Sequence, residues 1–408
     1  MKKILFLTYV YPYGYHNASA ACSTRIMEEL ARNPNFEVHC ISYIQREDGV
    51  QPYPLIPNVN LHLIPLKARK AKSRFREHVR MALRMPIYPF NSIHRIFQHY
   101  KACNDICKKE KFDLVIAQYF PEESAISGVL LKKSGIIDKL AVIFWDNMYG
   151  KEAAKFIPKS FALRRKKIIE NWIAKYSDSI ISLYPLKPFH MQNGDLPAAN
   201  GKRYYLGIPS VLPPIMPVTT KFLNEIKQDK INLLYSGSII NPEFVLKFID
   251  ILNKSGNPEN FNLIFFSKGL SQEYFENLKS NFKGSIQYPG YIPLNELLTV
   301  YNHVDAFISF PGEVNSIRSK VFEYMSYGHP ILIMYDNPLD VNVATFSKYP
   351  LSCCVNVNRN NETIAKEIDI FLKSMIGKTV PFNQVRDLFA SDTPTAYVNL
   401  IKRLCNAD

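Results

Sequence analysis

The sequence has no apolar run long enough to cross a lipid bilayer, which excludes a membrane-spanning helix as its main feature. None of its hydrophobic stretches approaches the roughly 18 residues that such a helix needs. The first residues, MKKILFLTYVYP, join two lysines to a short apolar run, but the run soon meets Tyr and Pro and lacks a small-residue cleavage site. A buried first strand is therefore expected there instead of a signal peptide.

Metal-binding and dinucleotide patterns are also missing. The seven cysteines show no paired spacing that completes a zinc site, so reduced and mostly buried thiols in a cytosolic protein are expected. No cluster of carboxylates with metal-ligand spacing is visible, and no metal or other cofactor is predicted. No Gly-x-Gly-x-x-Gly follows the first strand, which argues against a nicotinamide dehydrogenase.

The composition indicates two globular domains and an anionic partner. A chain of 408 residues is too long for one ordinary domain, and 47% hydrophobic residues are enough to form two cores. Lysine and arginine number 50 against 36 acidic residues, a formal net charge of +14. This excess favours nucleotide diphosphates, nucleic acid or acidic lipid surfaces.

The most informative stretch is NSIRSKVFEYMSYGHPIL, residues 315–332. An apolar run at residues 306–310 precedes it, helical spacing follows from Ser319, and Gly328 with Pro330 ends the helix before the next strand. A helix N-terminus offers unpaired N–H groups and partial positive charge to a diphosphate, and Arg318 and Lys320 add full charges. Glu323, about one turn into the helix, can accept hydrogen bonds from two ribose hydroxyls.

The first half of the chain alternates strands and helices as a Rossmann-like domain does. Strands are expected at residues 3–10, 36–43, 112–118 and 140–145, and helices at 24–32, 122–132 and 163–176. Asp146 follows the strand at 140–145, and carboxyl ends of parallel strands point into a ligand crevice. It therefore either faces a substrate or caps a loop. His190 is expected in a surface loop.

Four prolines in residues 207–218 indicate an extended linker, and the second half repeats the alternating layout. The expected architecture is α/β with two domains. The predicted bounds are a first domain at 1–210, a linker at 211–225, a second, nucleotide-binding domain at 226–380 and a helical tail at 381–408.

These motifs resemble the donor-binding region of GT-B glycosyltransferases of the group 1, or family 4, retaining type. Glu323 matches the second glutamate of the family's Glu-x7-Glu pattern, and Gly328-His329-Pro330 matches its Gly-x-Pro. Asn315 stands where the first glutamate is common, and Ser319-Lys320 precedes the helix as in one sub-pattern. The resemblance implies two Rossmann-like domains facing a central cleft, with the last helix crossing back to the first domain.

The resemblance also implies roles for individual residues. Lys320 and Arg318 would hold the diphosphate, Glu323 the ribose, and Asp146 would lie near the acceptor or donor sugar. Backbone groups around Tyr291 and Ile292 would hold the base, and Gly14 in the first loop would either meet the ligand or form a plain turn. The further donor-side residues are Asn315, Ser316, Ser319, Gly237, Ser238 and Lys268. Metal-independent transfer with retained anomeric configuration is implied.

Residues 66–100 carry the densest basic charge of the chain, interleaved with and followed by aromatic and aliphatic residues. Such a pattern can lie on an anionic membrane surface. It can equally hold an anionic or lipid-diphosphate acceptor, or form a solvated helix face over a core stripe. Nucleic acid is a weaker interpretation, since no recognisable nucleic-acid module accompanies the charge.

The leading hypothesis is a cytoplasmic bacterial glycosyltransferase of surface polysaccharide assembly, such as lipopolysaccharide or capsule, acting at the inner face of the membrane. It would move a sugar from a nucleotide-diphosphate sugar to a glycan or lipid-diphosphate-linked acceptor. Asn315 and the lack of an Arg–Lys pair after the strand at 231–235 motivate a second hypothesis, a catalytically degenerate nucleotide-sugar-binding subunit. A GT-B epimerase or hydrolase of UDP-sugars is a third, although it would need its own acid–base set.

Overall fold

The computed structural model describes residues 1–8, 18–45, 58–66, 93–119, 122–145, 158–239, 241–268, 271–312, 314 and 316–406. The chain forms two compact units. One comprises Met1–Pro209 together with Pro394–Asp408, and the other comprises Ser210–Thr393. Within the described ranges, none of the helices combines the length and hydropathy that crossing a bilayer requires.

The first unit is built on a parallel sheet in the order β3-β2-β1-β4-β5-β6-β7. Its strands are β1 (Lys2–Leu7), β2 (Phe36–Gln45), β3 (Val59–Leu66), β4 (Leu114–Tyr119), β5 (Leu140–Phe144), β6 (Ser179–Leu183) and β7 (Arg203–Leu206). Its first five described helices are α1 (Ala18–Ala31), α2 (Ile93–Cys107), α3 (Glu123–Lys133), α4 (Lys159–Tyr176) and α5 (Lys187–Asn193). Strands β4, β5 and β6 are buried at every position, because helices cover both faces of a parallel sheet and favour continuous apolar runs.

The second unit has a parallel sheet in the order β10-β9-β8-β11-β12-β13. Its strands are β8 (Ile231–Ser238), β9 (Phe261–Lys268), β10 (Ser285–Gln287), β11 (Ala306–Ser309), β12 (Ile331–Tyr335) and β13 (Ser352–Asn356). Its described helices are α6 (Glu243–Leu252), α7 (Gln272–Asn281), α8 (Leu294–Tyr301), α9 (Ser319–Ser326), α10 (Val341–Phe346), α11 (Asn361–Met375) and α12 (Phe382–Leu388).

The strand order of the second unit reverses direction between β8 and β11. From β8 the chain proceeds outward to β9 and β10, and then returns to β11 on the other side of β8. Connections that leave opposite sides of two adjacent strands open a crevice at the strands' carboxyl ends. The loops that follow β8 and β11 therefore line the natural ligand site of this unit.

The last helix, α13 (Pro394–Asn406), belongs to the first unit, as the fold prediction expected. Tyr397 is fully buried and its hydroxyl donates a hydrogen bond to the carbonyl of Gly207 at 2.8 Å. The Thr395 hydroxyl donates to a carboxylate oxygen of Glu29 on α1 at 3.0 Å. These contacts hold the chain's end against the first unit.

Candidate functional site

A cavity of about 400 Å³ opens at the crevice between β8 and β11. Its described walls come from the end of β8, the segment after β11 and the start of α9. Polar and charged wall residues include Gly237, Ser238, Ser316, Arg318, Ser319 and Lys320. The volume lies within the range typical of small-ligand sites. Six of the predicted donor residues are thus brought together around one cavity.

Helix α9 begins at this cavity, and the residues at its two ends define where it starts and where it stops. Arg318 has non-helical backbone angles, φ −80° and ψ 87°, so the helix starts at Ser319. Val321, Phe322 and Met325 bury the inner face, as the spacing predicted. The first amides of a helix have no partners within it. The backbone amides of Ser319 and Lys320 are among these first amides, and both residues line the cavity.

The loop before α9 is fixed by Asn342, which lies more than 20 positions later in the sequence and is fully buried. Its side-chain oxygen accepts a hydrogen bond from the Arg318 amide at 2.9 Å, and its amide nitrogen donates to the Ser316 carbonyl at 2.8 Å. The same nitrogen donates to Asp340 Oδ1 at 2.6 Å. Sequence analysis missed both supporting residues, because nothing local connects them to the cavity.

Arg318 is held on several sides by the protein. Its Nη1 donates to Ser309 Oγ at 3.1 Å and to the Met334 carbonyl at 3.0 Å, while its Nη2 pairs with the carboxylate of Asp340. Burial lowers the pKa of the guanidinium, and the Asp340 charge opposes that change. The Nε atom is buried without a hydrogen-bond partner. Arg318 lines the cavity, so its guanidinium places a fixed positive charge beside this space.

Lys320 and Glu323 form an ion pair one turn apart on α9, with Lys320 Nζ 2.7 Å from Glu323 Oε2. The Lys320 side chain is 32% exposed and lines the cavity, whereas Glu323 is 14% exposed and lies outside the described wall. Their spacing, i to i+3, is typical of neighbours on a helix surface. The two residues assigned to phosphate and ribose therefore contact each other in the structure.

Two buried tyrosines fasten the end of β8 to the helices behind it. The Tyr324 hydroxyl accepts a hydrogen bond from the Ser236 amide at 2.9 Å and donates to the Ser236 carbonyl at 3.1 Å. The Tyr301 hydroxyl contacts Ser236 Oγ. Burial raises the pKa of both tyrosines well above the usual value, so both stay neutral. These hydrogen bonds to Ser236 position Gly237 at the cavity wall. The φ of Gly237 is +136°, a value that favours glycine.

Tyr235 lines one side of the cavity, and its pKa responds to the charges nearby. Its hydroxyl donates to the Ser238 carbonyl at 2.8 Å. Burial raises the pKa of Tyr235 to about 12, and the charges of Arg318 and Lys320 oppose the rise. Both cations therefore act on the same corner of the cavity, where an anion would meet their combined field.

The other predicted residues lie elsewhere or outside the described part of the chain. Tyr291 is 59% exposed and Ile292 is buried, and neither belongs to the described cavity wall. The backbone of Lys268 ends β9 in register with Ser238, but its side chain is not among those described. Asn315, Gly14 and Asp146 lie outside the described residues, as do residues 67–92 of the basic stretch.

The first unit contains two buried carboxyl groups that sequence analysis did not single out. Glu122 and Glu123 follow the carboxyl end of β4 at the start of α3, and each is 1% exposed. Neither carboxylate oxygen of Glu123 has a hydrogen-bond partner. Burial, and then the neighbouring Glu122, raise the pKa of Glu123 to about 8. A Glu-Glu pair that begins three residues past the end of an apolar strand was the available signal.

One group of side chains in the described part has the composition of a metal site. Ligand atoms of Glu37, His39 and Glu110 lie within 4.8 Å of one another. However, Lys3 Nζ lies 2.9 Å from Glu110 and 3.4 Å from Glu37. A lysine ammonium already supplies the positive charge between these carboxylates, so the group is best described as an ion-pair network.

Comparison with known proteins finds likeness in structure and not in sequence. No protein-family model matches the chain, and no curated protein matches its sequence. The sucrose-phosphate synthase of Thermosynechococcus elongatus superposes over 100% of both chains with a TM-score of 0.68 and 14% identity. A glycosyltransferase from Rickettsia africae covers 100% of this chain and 99% of its own, with a TM-score of 0.64 and 14% identity.

A third similar structure is the lipopolysaccharide outer core galactosyltransferase WaaB, with 99% of both chains covered, a TM-score of 0.57 and 14% identity. The chain has the GT-B fold. This confirms the predicted fold class. In this GT-B chain, the cavity beside α9 belongs to the second Rossmann-like unit, where the resemblance placed the donor nucleotide.

Proposed function

We propose that this protein is a glycosyltransferase that binds the diphosphate of a sugar nucleotide in the cavity beside α9. The observation that supports this most is the convergence of a helix N-terminus, Lys320 and Arg318 on one cavity of about 400 Å³. Helix N-termini and guanidinium groups are standard ligands for phosphate oxygens.

The Lys320–Glu323 ion pair suits a site that exchanges partners. A partly exposed ion pair stabilises a protein by only about 0–1 kcal/mol. Replacing the Lys320–Glu323 pair by an ion pair between Lys320 Nζ and a bound diphosphate therefore costs little. That exchange releases the Glu323 carboxylate, which then accepts hydrogen bonds from the ribose. Arg318 plays a different part, because Asp340 and Ser309 hold its guanidinium in place as a fixed positive charge beside the diphosphate.

The proposed chemistry is transfer of the sugar as its diphosphate leaves. The anomeric carbon gains positive character while negative charge grows on the departing phosphate. Fixed donors aimed at that charge stabilise the transition state, and removing one typically costs about 100- to 1000-fold in turnover. The proposal includes retention of configuration, as in the group 1 type, and transfer without a metal ion.

The proposed acceptor is a glycan or a lipid-diphosphate-linked glycan of a bacterial surface polysaccharide, met at the inner face of the membrane. Two features support this choice. WaaB, which shares the fold, is described as a galactosyltransferase of the lipopolysaccharide outer core. The net charge of +14 also favours anionic acceptors.

A second candidate function is nucleotide-sugar binding without transfer. Residues 236–242, at the end of β8 and just after it, contain neither Lys nor Arg, and Lys320 is paired with Glu323. A site with this reduced set of cations holds a donor but stabilises a leaving diphosphate less. Donor binding without turnover across a panel of acceptors would support this candidate over the first.

The test begins with thermal shifts for UDP-, GDP-, ADP- and CMP-sugars. A ligand at 100 times its dissociation constant stabilises the protein by roughly 2.7 kcal/mol, which a shift assay resolves. Transfer is then measured with Lys320→Ala, and Lys279→Ala serves as the matched control. Lys279 forms a similar pair with Glu276 at 3.0 Å, but it lies on α7 outside the described cavity wall.

Lys320→Ala is expected to lose at least about 100-fold in transfer and to bind the donor more weakly, while Lys279→Ala keeps both. Transfer at the wild-type rate by a folded Lys320→Ala variant would remove the assigned role. If none of the sugar nucleotides shifts the transition of the wild-type protein, the donor site itself is wrong.

A further inference from the structure

Asn342 holds two successive peptide groups of a distant segment with one side-chain amide. Its Oδ1 accepts a hydrogen bond from the Arg318 amide at 2.9 Å, and its Nδ2 donates to the Ser316 carbonyl at 2.8 Å. The three residues that it spans, Ser316, Ile317 and Arg318, all line the cavity. Asn342 itself is fully buried and is not among the described residues of the cavity wall. It therefore contacts this part of the wall from the protein interior.

The planarity of the peptide group determines where the Ile317 amide points. In a trans peptide the C=O and the N–H lie on opposite sides of the chain. The Ser316 carbonyl and the Ile317 N–H belong to the same peptide group. Because the carbonyl points to Asn342, the Ile317 N–H points away from Asn342.

The same argument applies to the Ser319 amide at the start of α9. The Arg318 carbonyl accepts a hydrogen bond from the Val321 amide at 3.0 Å, so this carbonyl points along the helix. The Ser319 N–H, in the same peptide group, therefore points away from the body of the helix. Within the part of the chain that the structure describes, the amides of Ile317 and Ser319 have no hydrogen-bond partner.

Asp340 holds Asn342 in turn. Its Oδ1 accepts from Asn342 Nδ2 at 2.6 Å and from the Asn342 backbone amide at 2.9 Å, while its other oxygen pairs with the Arg318 guanidinium. Both Asp340 and Asn342 are buried, and buried polar groups whose hydrogen bonds are all made keep one arrangement. Asn342 therefore fixes the backbone of Arg318, and Asp340 fixes its side chain.

We propose that Asn342 is a positioning residue for sugar transfer, which orients the amides of Ile317 and Ser319 so that they donate hydrogen bonds to the departing diphosphate. The inference rests on the proposed function and adds to it a residue outside the described cavity wall. Amides that are fixed before the reaction stabilise developing negative charge without having to reorganise. A displacement of such groups by about 1 Å can cost about 100-fold in rate.

The test compares Asn342→Ala with the wild-type protein in two assays. Calorimetric titration with UDP, GDP and ADP measures the affinity for the diphosphate, and steady-state transfer measures kcat and KM. Asn342→Ala should bind the nucleoside diphosphate more weakly and lose about 100-fold in kcat. The fall in kcat should exceed any rise in KM, because the two amides act mainly on charge that develops as the diphosphate leaves.

Asn262→Ala is the matched control for a purely structural effect. Asn262 is also fully buried in the second unit, and its side chain also makes three hydrogen bonds. It is the second residue of β9, so it lies at the amino end of the sheet, whereas the cavity lies at the carboxyl ends. Urea unfolding should show that both variants are destabilised. Asn262→Ala should nevertheless keep the wild-type affinity for the nucleoside diphosphate and the wild-type kcat per folded molecule.

Asn342→Asp provides a second variant that keeps the shape of the side chain. The introduced carboxyl group can still accept from the Arg318 amide, but as a carboxylate it cannot donate to the Ser316 carbonyl. Burial and the charge of Asp340 raise the pKa of such a group, and its protonated form can donate in place of the amide. The kcat of Asn342→Asp, divided by that of the wild type at the same pH, should therefore rise as the pH is lowered.

Two outcomes would overturn the role of Asn342 and leave the proposed function standing. In the first, the wild type binds a nucleoside diphosphate and transfers sugar, but Asn342→Ala and Asn262→Ala match each other in affinity and in kcat per folded molecule. In the second, the ratio of kcat for Asn342→Asp to that of the wild type stays constant with pH. A wild-type protein that binds none of the three nucleoside diphosphates would instead refute the donor site, and the role of Asn342 with it.

Discussion

Gly328 ends the helix that forms the cavity wall, and its replacement tests how the second unit holds that helix. Its φ is +80°, in the left-handed region that favours glycine. A Cβ added there would lie 2.5 Å from the Val380 carbonyl oxygen and 3.3 Å from the Val380 nitrogen. The Val380 amide donates to the Gly328 carbonyl at 3.0 Å, so the two backbones cannot separate without losing that bond.

The expected cost of Gly328→Ala follows from these contacts. A left-handed alanine costs roughly 1–2 kcal/mol. Moving the segment around Val380 away loses a backbone hydrogen bond worth about 1 kcal/mol and the packing around it. The total is about 2–4 kcal/mol. Gly377 is the matched control, because its φ is +81° and nothing lies within 4 Å of an added Cβ. Gly377→Ala should cost only the conformational part.

Urea unfolding followed by far-UV circular dichroism measures the difference. With a denaturant slope of about 2 kcal/mol per molar, Gly328→Ala should lower the midpoint of the second unit's transition by about 1–2 M and Gly377→Ala by about half of that or less. The chain's two tryptophans, Trp145 and Trp172, lie in the first unit, so their fluorescence identifies which transition belongs to it. Equal midpoints for the two alanine variants would refute the argument.

Two further predictions concern buried charges. Asp340→Asn leaves the Arg318 guanidinium buried without its carboxylate and should lower the free energy of unfolding by about 3–5 kcal/mol. Asp387→Asn removes one partner of an exposed pair and should lower it by less than about 1 kcal/mol. Similar urea midpoints for the two variants would contradict this expectation. Because the pKa of Glu123 is raised to about 8, the folded state keeps a proton that the unfolded state loses near pH 4.5, and stability falls as pH rises between these values. Relative to Glu123→Gln, the wild type should lose up to about 1.4 kcal/mol per pH unit in that range, and a difference that does not change with pH would show that Glu123 titrates normally.

The fold followed closely from local sequence patterns. Continuous apolar runs located β4, β5 and β12, because strands buried on both faces need apolar residues throughout. Helix α1 is a partial exception, since it begins at Ala18 instead of residue 24. The stretch Ala18-Ser19-Ala20-Ala21 has good helix formers but little hydrophobic periodicity, so a pattern of large apolar residues misses its first turn.

His190 shows where local patterns fail. It was expected in a surface loop, but it lies in α5 and is 3% exposed. Its Nδ1 lies 2.8 Å from the Tyr205 hydroxyl, and burial lowers the pKa of His190 to about 4. Tyr205 arrives on the next strand, 15 residues later, so the partner that buries the imidazole is set by sheet pairing and not by neighbouring residues.

The candidate site shows the same division. The start and end of α9 and the basic residues at its N-terminus could be predicted from residues 315–332 alone. The supports of the site could not be, because Asp340, Asn342 and Tyr301 reach it from other elements. Nothing in the local sequence marks these residues as part of the site, and only the tertiary structure brings them to it.

The central claim is that the cavity beside α9 holds the diphosphate of the donor. A crystal structure with the nucleoside diphosphate selected by the thermal-shift panel tests it most directly. We predict phosphate oxygens within hydrogen-bond distance of the first amides of α9 and of Lys320 Nζ, beside the guanidinium of Arg318. A bound diphosphate that contacts none of residues 316–323 would contradict the account.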